Sequence, residues 1–450
     1  MNRNNTICAL ATPTGQSAIA TIRLSGSLCK GLIAEIFNKE PKPRYACFAP
    51  YKNLNGEILD EVIYTYFQAP HSYTGEDSLE ISTHGNPFII QNIIEDLFAR
   101  GCSPAENGEY TKRAFLNKKM DLSQAEAVSL MISARSAASL KASQRQLAGE
   151  LGKRINSYTS NLVDICALVE AYIDFPEDEL PEENLNDMLG KMSELIEKLS
   201  LMIENSKYSN IIHEGIKLVI LGAPNAGKSS ILNLLLGSER AIVSDIAGTT
   251  RDFISDKINV GKYLFNISDT AGIRNSSDKI EALGIEKALE IAKNADLILL
   301  VIDSSESFEN FSEDLAKSIS KENTLIIFNK ADLSQNEATL NVYKDFERLS
   351  ISSKEGKFSS ILKDKICAFI EAKQITPDSD DILVSARHTN SLISAKVAIE
   401  NAMQMLRDQD ASELIASEVR GALDDLGEIV GKVDCEDILG KIFSQFCIGK

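Results

Sequence analysis

The 450 residues are more than one ordinary hydrophobic core holds, so we expect two or three domains. The chain is 44% hydrophobic and 25% charged, with no run near the roughly 18 apolar residues of a membrane helix, which excludes a transmembrane protein and indicates a soluble one. The start lacks a secretory signal. Eight scattered cysteines without a C-x-x-C pair argue against a disulfide framework or a zinc site, and they favour a reducing cytoplasm.

The net charge of −18 is unevenly distributed along the chain. Residues 1–118 hold 11 Lys and Arg against 12 Asp and Glu, a net of −1, so the remaining residues carry −17. A uniformly acidic surface would repel nucleic acid. We therefore expect an anionic partner to approach through the first segment or through a local basic patch.

Residues 1–118 mix strand and helix patterns and predict an α+β domain. The stretches "TICALAT", "IATIRLSG" and "SLEISTHG" are typical of strands, and "SLCKGLIAEIFNK" of a helix. Asn55-Gly56 interrupts an apolar β-rich stretch and predicts a hairpin. A second helix, "NPFIIQNIIEDLFARG", is expected to close at Gly101.

Helical patterns dominate the next segment and return after residue 385. One predicted long helix, ended by Pro176, carries an apolar stripe at Leu151, Ile155, Tyr158, Leu162, Ile165, Val169 and Tyr172. The acidic "PEDELPEENLND" predicts a solvated turn before another helix at roughly 187–205. Neither helical half suffices as a bundle, so we predict one all-α domain interrupted by an insert.

The insert alternates strand and helix and predicts an α/β domain. Its short apolar runs "IKLVIL", "YLFNIS", "DLILLVID" and "TLIIFNK" suit a buried parallel sheet. The predicted boundaries are 1–118 for the α+β domain, 119–210 and 376–450 for the two parts of the helical domain, and 211–375 for the insert.

Five motifs in the insert, in order and at strand ends, predict GTP binding. "GAPNAGKSS" fits a phosphate loop, in which Lys228 reaches the β- and γ-phosphates and Ser229 ligates Mg²⁺. "AGTTRD" and "DTAG" offer groups for the metal and the γ-phosphate. In "NKAD", the Asp332 carboxylate accepts from guanine, and "SSKEG" (352–356) closes over the base. The predicted GTP-binding residues are Asn225, Ala226, Gly227, Lys228, Ser229, Ser230, Ser244, Asp245, Ile246, Ala247, Gly248, Thr249, Thr250, Asp269, Thr270, Ala271, Gly272, Asn329, Lys330 and Asp332.

Ile273 follows "DTAG" at the position where Ras-like switches place a glutamine that orients the attacking water. An apolar side chain cannot do this, so GTP hydrolysis must depend on another group. The Asn225 side-chain oxygen is one candidate, because it can hold a monovalent cation against the phosphates. The alternative is that Asn225 only caps the turn. The residues themselves leave both open.

Across essentially its whole length, the chain resembles the tRNA-modification GTPase MnmE family, also called TrmE. The resemblance rests on "ATPTGQSAIATIRLSG", "APHSYTGEDSLEISTHGNP", "GEYTKRAFLNKKMDLSQAEAV", "GAPNAGKSS", "DIAGTTRD", "DTAGIR" and the terminal "FCIGK". Small departures are "TPTGQSA", "STHGN" and "SSK" in place of the more common "SAK", and none touches a phosphate-binding position. The family's fold is a folate-binding-like α+β domain, a helical domain and an inserted GTPase domain.

The resemblance implies site residues that the patterns alone do not. A tetrahydrofolate derivative, 5-formyl or 5,10-methylene, is expected beside Arg23, Glu80, Lys119 and Lys450. K⁺ is implied at Asn225, Ser244, Ile246 and Thr249, and Mg²⁺ at Ser229 and Thr250. Glu281 matches the family's general base, with a helix-surface glutamate as the alternative.

The tail "FCIGK" does not fit prenylation, because Gly449 and Lys450 are the wrong residues for that signal. The resemblance instead places the tail near the folate. Cys447 is a candidate nucleophile, since a thiolate near a lysine is activated, and an inert thiol remains the alternative.

The resemblance implies GTP-driven modification of the wobble uridine of certain tRNAs at C5, with a one-carbon unit from tetrahydrofolate. No G-x-G-x-x-G follows a predicted strand, so the chain lacks the sequence signature of FAD or NAD binding. The redox step of the modification is therefore assigned to the family's FAD-containing partner, MnmG or GidA. A homodimer that forms a heterotetramer with this partner is expected, with no membrane association. The rival interpretation is a GTPase switch in ribosome assembly, which the folate-like first domain and "FCIGK" disfavour.

Overall fold

The computed structural model describes residues 5–174, 182–236, 255–261, 263–268, 292–308, 317–355, 358–372, 384–408 and 411–432, together with Ile442, Phe446 and Gly449. Two compact units account for the chain. The first comprises Met1–Ile132, Gln146–Met192 and Val397–Lys450, and the second comprises Ser133–Arg145 and Ser193–Lys396. In the described residues, no helix combines the length and apolarity needed to cross a membrane.

The first unit contains a six-stranded sheet in the order β3-β4-β5-β2-β1-β6. Its neighbours are antiparallel except for β1 and β6. The predicted hairpin is confirmed: β3 pairs with β4, and Gly56 in the turn has a φ of 82°. The strands are β1 (Ile7–Leu10), β2 (Ser17–Ser25), β3 (Ala46–Lys52), β4 (Ile58–Phe67), β5 (Ser78–Gly85) and β6 (Ser103–Pro104).

Helices α1 (Cys29–Phe37) and α2 (Pro87–Ala99) share a buried core with this sheet, and α3 (Glu109–Leu116) follows. Side chains alternate along a strand, so residues of β2 that flank the buried Ile22 and Leu24 point to the other face. Arg23 lies there, directly opposite Glu80 of β5 in the strand register. The α+β assignment is confirmed, and the sheet itself brings these two predicted site residues together.

Helices make up the remainder of the first unit, and four of them include residues of the second. The long helix α6 (Glu150–Asp174) carries the predicted stripe, with Leu151, Ile155 and Leu162 fully buried, and it packs against α12 (Ser412–Val430). The others are α4 (Leu122–Ser133), α5 (Ala137–Leu147), α7 (Glu182–Glu214) and α11 (Ala386–Asp408).

The predicted bounds 187–205 for the helix after the acidic turn are wrong. Helix α7 begins at Glu182 and continues to Glu214. Carboxylates near a helix amino terminus are favoured by the helix dipole, so Glu182, Glu183 and Asp187 lie in the helix instead of in a turn. The helix ends where Gly215 adopts a left-handed φ of 97°.

A second six-stranded sheet, in the order β12-β11-β10-β7-β9-β8, lies in the second unit. All neighbours are parallel except β8 and β9, so the α/β assignment is confirmed. The strands are β7 (Ile216–Gly222), β8 (Ser255–Val260), β9 (Tyr263–Ser268), β10 (Leu297–Asp303), β11 (Thr324–Asn329) and β12 (Arg348–Ser350), and the helices are α8 (Lys228–Leu236), α9 (Glu337–Leu340) and α10 (Phe358–Ala372). Because parallel strands end at one edge, the loops after β7, β10 and β11 meet there.

Candidate functional site

The phosphate loop joins β7 to α8 and requires glycine at two positions. Gly222 has a φ of 152° and Gly227 a φ of 98°. A Cβ on Gly222 would collide with the Val301 carbonyl oxygen, and one on Gly227 with the side-chain nitrogen of Asn329. The backbone of the loop therefore packs directly against Val301 and Asn329. In this conformation the first N–H groups of α8 face the space where a phosphate binds.

Lys228 bends back over this loop. Its Nζ donates to the carbonyl oxygens of Gly222 and Ala223, both at 2.8 Å. These two bonds hold the ammonium group at the mouth of the loop, where it can exchange a carbonyl oxygen for a phosphate oxygen. Ser229 and Ser230, the predicted metal ligand and its neighbour, are exposed at the start of α8.

Asn329 links the phosphate loop to the loop that closes over the base. Its Nδ2 donates to the Ala226 carbonyl oxygen at 2.8 Å, and its Oδ1 accepts from the Ser353 backbone N–H at 3.0 Å. Both Asn329 and Ala226 are buried. The sequence assigned Asn329 to nucleotide binding, and the structure shows it holding the two loops in register.

The Asp332 carboxylate stands at the carboxyl end of β11 and is oriented by the base-closing loop. Ser352 Oγ donates to its Oδ1 at 2.7 Å, and this bond holds the pKa of Asp332 below its usual range. The carboxylate is therefore an anionic acceptor at neutral pH. It can receive both the N1–H and the exocyclic amine of guanine, and adenine offers no such pair of donors.

Asp303 is a residue that sequence reasoning missed. It ends β10, and its carboxylate binds the ammonium group of Lys330 at 2.5 Å. Burial of Asp303 works toward a higher pKa, but hydrogen bonds from Lys330 and Ser305 outweigh it and hold the pKa below the usual range. A polar residue at the end of the apolar run "LILLVID" was the signal that could have identified it.

Asn225 adopts a left-handed φ of 62°, a conformation that asparagine tolerates better than most residues. Its side chain is exposed, and among the described residues it forms no hydrogen bond that would cap the turn. The structure thus gives no support to a capping role, and the side-chain oxygen is accessible beside the phosphate loop.

Several predicted site residues lie outside the described part of the chain. They are Ser244, Asp245, Ile246, Ala247, Gly248, Thr249, Thr250, Asp269, Thr270, Ala271, Gly272, Glu281, Cys447 and Lys450. Their assignments stay predictions.

A second constellation lies on the first unit, around Arg23. Its Nε and Nη2 contact Glu80 Oε1 at 2.9 and 2.8 Å, and both side chains are partly exposed. The guanidinium group lies 5.9 Å from the ring centroids of Tyr73 and Tyr110. The Tyr110 hydroxyl also donates to the Arg23 carbonyl oxygen at 2.7 Å. Arg23 and Glu80 are thus a partly exposed ion pair with two aromatic rings beside the guanidinium group.

The carboxyl-terminal tail reaches the same place. Gly449 has a φ of 96°, its carbonyl oxygen accepts from Arg23 Nη1 at 3.5 Å, and a Cβ there would collide with the Leu10 carbonyl oxygen. Phe446 is buried against Leu122 of α4. Arg23, Glu80 and the tail are thus brought together, although they are far apart in sequence.

Lys119, the remaining described residue of the predicted folate set, follows α3 and contacts the loop that carries Tyr73. Its Nζ donates to the Pro70 carbonyl oxygen at 3.0 Å, and its aliphatic stem lies near Gly75. No bond joins it to Arg23 or Glu80 among the residues that the structure describes.

Comparisons with known proteins agree with this organisation. Residues 6–119 match the family model described as the GTP-binding protein TrmE N-terminus, and residues 122–447 match that of the MnmE helical domain. A tRNA modification GTPase MnmE from Opitutus terrae is 45% identical over 447 residues, which cover 99% of each chain. One from Aquifex aeolicus is 42% identical, with the same coverage.

The chain belongs to the MnmE family of tRNA modification GTPases. The family predicted from the sequence is confirmed, and so is its assignment as a GTP-hydrolysing enzyme. One similar solved structure is the G domain of the FeoB iron transporter of T. maritima. It is 24% identical and covers 34% of this chain and 98% of that chain, but its TM-score of 0.23 supports no argument.

Proposed function

We propose that this MnmE-family chain couples GTP hydrolysis to modification of the wobble uridine of certain tRNAs at C5, using a one-carbon unit from a tetrahydrofolate. The observation that carries the folate part is the junction of Arg23, Glu80 and Gly449. An FAD-containing partner of the MnmG or GidA type supplies the redox step, and the chain acts as a homodimer within a heterotetramer in the cytoplasm. The proposed domains are 1–118, 119–210 with 376–450, and 211–375.

The chemistry of the Arg23 junction suits a reduced folate. A folate tail carries carboxylates, which a guanidinium group binds in a fork geometry, and the pterin edge offers an amine to the Glu80 carboxylate. The exposed Tyr73 provides a flat apolar surface for ring stacking, and the buried Tyr110 supports Arg23 from within the fold. Lys119 and Lys450 add positive charge in this proposal, and Cys447 remains a candidate nucleophile.

The nucleotide site suits GTP with Mg²⁺. Lys228 would exchange a carbonyl oxygen for a phosphate oxygen, Ser229 and Thr250 would hold Mg²⁺, and Asp332 would select guanine. We also propose K⁺ beside Asn225, with Ser244, Ile246 and Thr249 as further ligands, where it would offset charge on the phosphates in the transition state. Glu281 then takes a proton from the attacking water through a second water.

Substituting Gly449 tests the proposed pocket. Gly449→Ala forces the tail away from Leu10 because the new methyl group collides with its carbonyl oxygen. We expect tetrahydrofolate affinity to fall by roughly tenfold, the equivalent of one lost charge-assisted contact, while basal GTP hydrolysis is unchanged. Folate titration and a GTPase assay on the full chain measure both.

Gly56→Ala is the matched control for that substitution. Gly56 also has a positive φ, 82°, but an added Cβ meets nothing within 4 Å. It therefore reproduces the backbone strain without moving the tail, and folate affinity should stay at the parent level. Equal folate affinity in Gly449→Ala and Gly56→Ala would remove the tail from the pocket.

A further inference from the structure

Positive charge is concentrated in one stretch of an otherwise acidic chain. Residues 112–154 carry nine Lys and Arg against three Asp and Glu, a net of +6 in a protein of net −18. Residues 155–190 then carry nine Asp and Glu and no Lys or Arg. A boundary this sharp separates a surface that attracts polyanions from one that repels them.

Part of this stretch comes together in the first unit, around the turn between α3 and α4. The backbone of Gly152 in α6 lies against the Asp121 carboxylate, and that of Gly431 after α12 lies against Phe115 and Leu122. The exposed Lys118, Lys153, Arg154 and Lys432 each stand within three residues of these contacts. We call these four residues the basic surface.

No side chain in the described part of the chain neutralises the basic surface. Within the described ranges, none of its four side chains forms a hydrogen bond or an ion pair. Asp121, the acidic residue in the turn between α3 and α4, is used locally instead, because it accepts from Ser123 Oγ at 2.7 Å and from the Gln124 N–H at 2.8 Å at the start of α4. Four cations are therefore available to an outside anion.

The direction of charge along α6 also opposes what helix stability favours. Helix dipoles favour carboxylates at the amino end and cations at the carboxyl end. In α6, Lys153 and Arg154 lie near the amino end, and Glu170 and Asp174 lie near the carboxyl end. Glu150 is the one acidic residue of the first turn. The helix dipole therefore gives no reason for cations at this end of α6.

We infer that the basic surface binds the phosphate backbone of tRNA, an inference that rests on the proposed function. Its position supports this choice of polyanion. Lys118 adjoins Lys119, whose ammonium group bonds to Pro70 on the loop that carries Tyr73, and Tyr73 flanks Arg23. RNA held by these cations lies beside the proposed one-carbon pocket.

The test neutralises two of the cations in the full chain. Lys153→Gln with Arg154→Gln should weaken binding of unfractionated tRNA by roughly tenfold per cation near 0.1 M salt. It should also reduce the slope of log affinity against log salt by about 2, because two fewer counterions are released. Basal GTPase activity should match the parent.

Lys30→Gln with Lys52→Gln is the matched control, since it makes the same charge change at two exposed lysines of the same unit. Its affinity and salt slope should stay near those of the parent. The inference is overturned if both double variants bind tRNA equally, or if Lys153→Gln with Arg154→Gln loses affinity without a change in slope. Unchanged tRNA binding with weaker binding of an acidic partner protein would assign the surface to that protein.

Failure of the proposed function gives a different result from failure of this inference. If the function is wrong, wobble nucleosides are unchanged in a strain that lacks the chain. If only the basic surface is wrong, that strain loses the modification, and the variant Lys153→Gln with Arg154→Gln restores it with parental tRNA affinity.

Discussion

Glu281→Ala should lower GTP turnover by about 10²- to 10⁴-fold while leaving GTP affinity close to that of the parent. Ile273 cannot orient water, so the proposed mechanism gives this task to Glu281. Loss of a positioned general base affects the transition state and not nucleotide binding. Single-turnover hydrolysis and equilibrium nucleotide binding separate the two effects.

Glu286→Ala is the control for Glu281, because it removes a second glutamate from the same stretch, "EALGIEKALE". It should hydrolyse GTP at the parental rate. A Glu281→Ala variant that hydrolyses as fast as Glu286→Ala would show that Glu281 is a surface residue.

Replacing K⁺ by Na⁺ at equal ionic strength should slow GTP hydrolysis by roughly 10²-fold or more. This is the cost of losing one preorganised group that stabilises transition-state charge. Asn225→Ala should reduce the rate in K⁺ to the rate in Na⁺, because the exposed side-chain oxygen beside the phosphate loop is gone. Steady-state hydrolysis in the two salts measures the difference.

Asn225→Asp provides a conservative comparison, because it keeps a side-chain oxygen at the same position. It should retain a preference for K⁺ that Asn225→Ala lacks. Equal rates of the parent in both salts would contradict the proposed K⁺ site, and Asn225 would then be a residue of the turn alone.

Local patterns in the sequence predicted most of the fold. The Asn55-Gly56 hairpin and the buried parallel strands depend on turn chemistry and on short apolar runs, which a few neighbouring residues determine. The helix α7 was predicted too short because its acidic start reads equally well as a turn. Local composition does not distinguish these two states, and helix electrostatics decided between them.

The links between distant segments could not be predicted from pattern. Asn329 bridges Ala226 and Ser353, and Asp303 binds Lys330, because four strand ends meet at one edge of the sheet. The docking of Gly449 beside Leu10 and Arg23 likewise joins the two ends of the chain. Only the resemblance to a family pointed to that junction.

The basic surface shows the same division between local and tertiary information. The run of cations at 112–154 is visible in the sequence, and so is the acidic stretch that follows. Lys432 joins the cations of this run because Gly431 packs against Phe115, and a count of charges along the sequence cannot show that contact.

Mass spectrometry of wobble nucleosides tests the central claim most directly. We predict that tRNA from a strain lacking this chain has lost its C5-modified wobble uridine. The parent chain should restore the modification, and the hydrolysis-deficient Glu281→Ala should not. A wobble uridine that remains fully modified in the deletion strain would contradict the account and favour a GTPase switch without a modifying role.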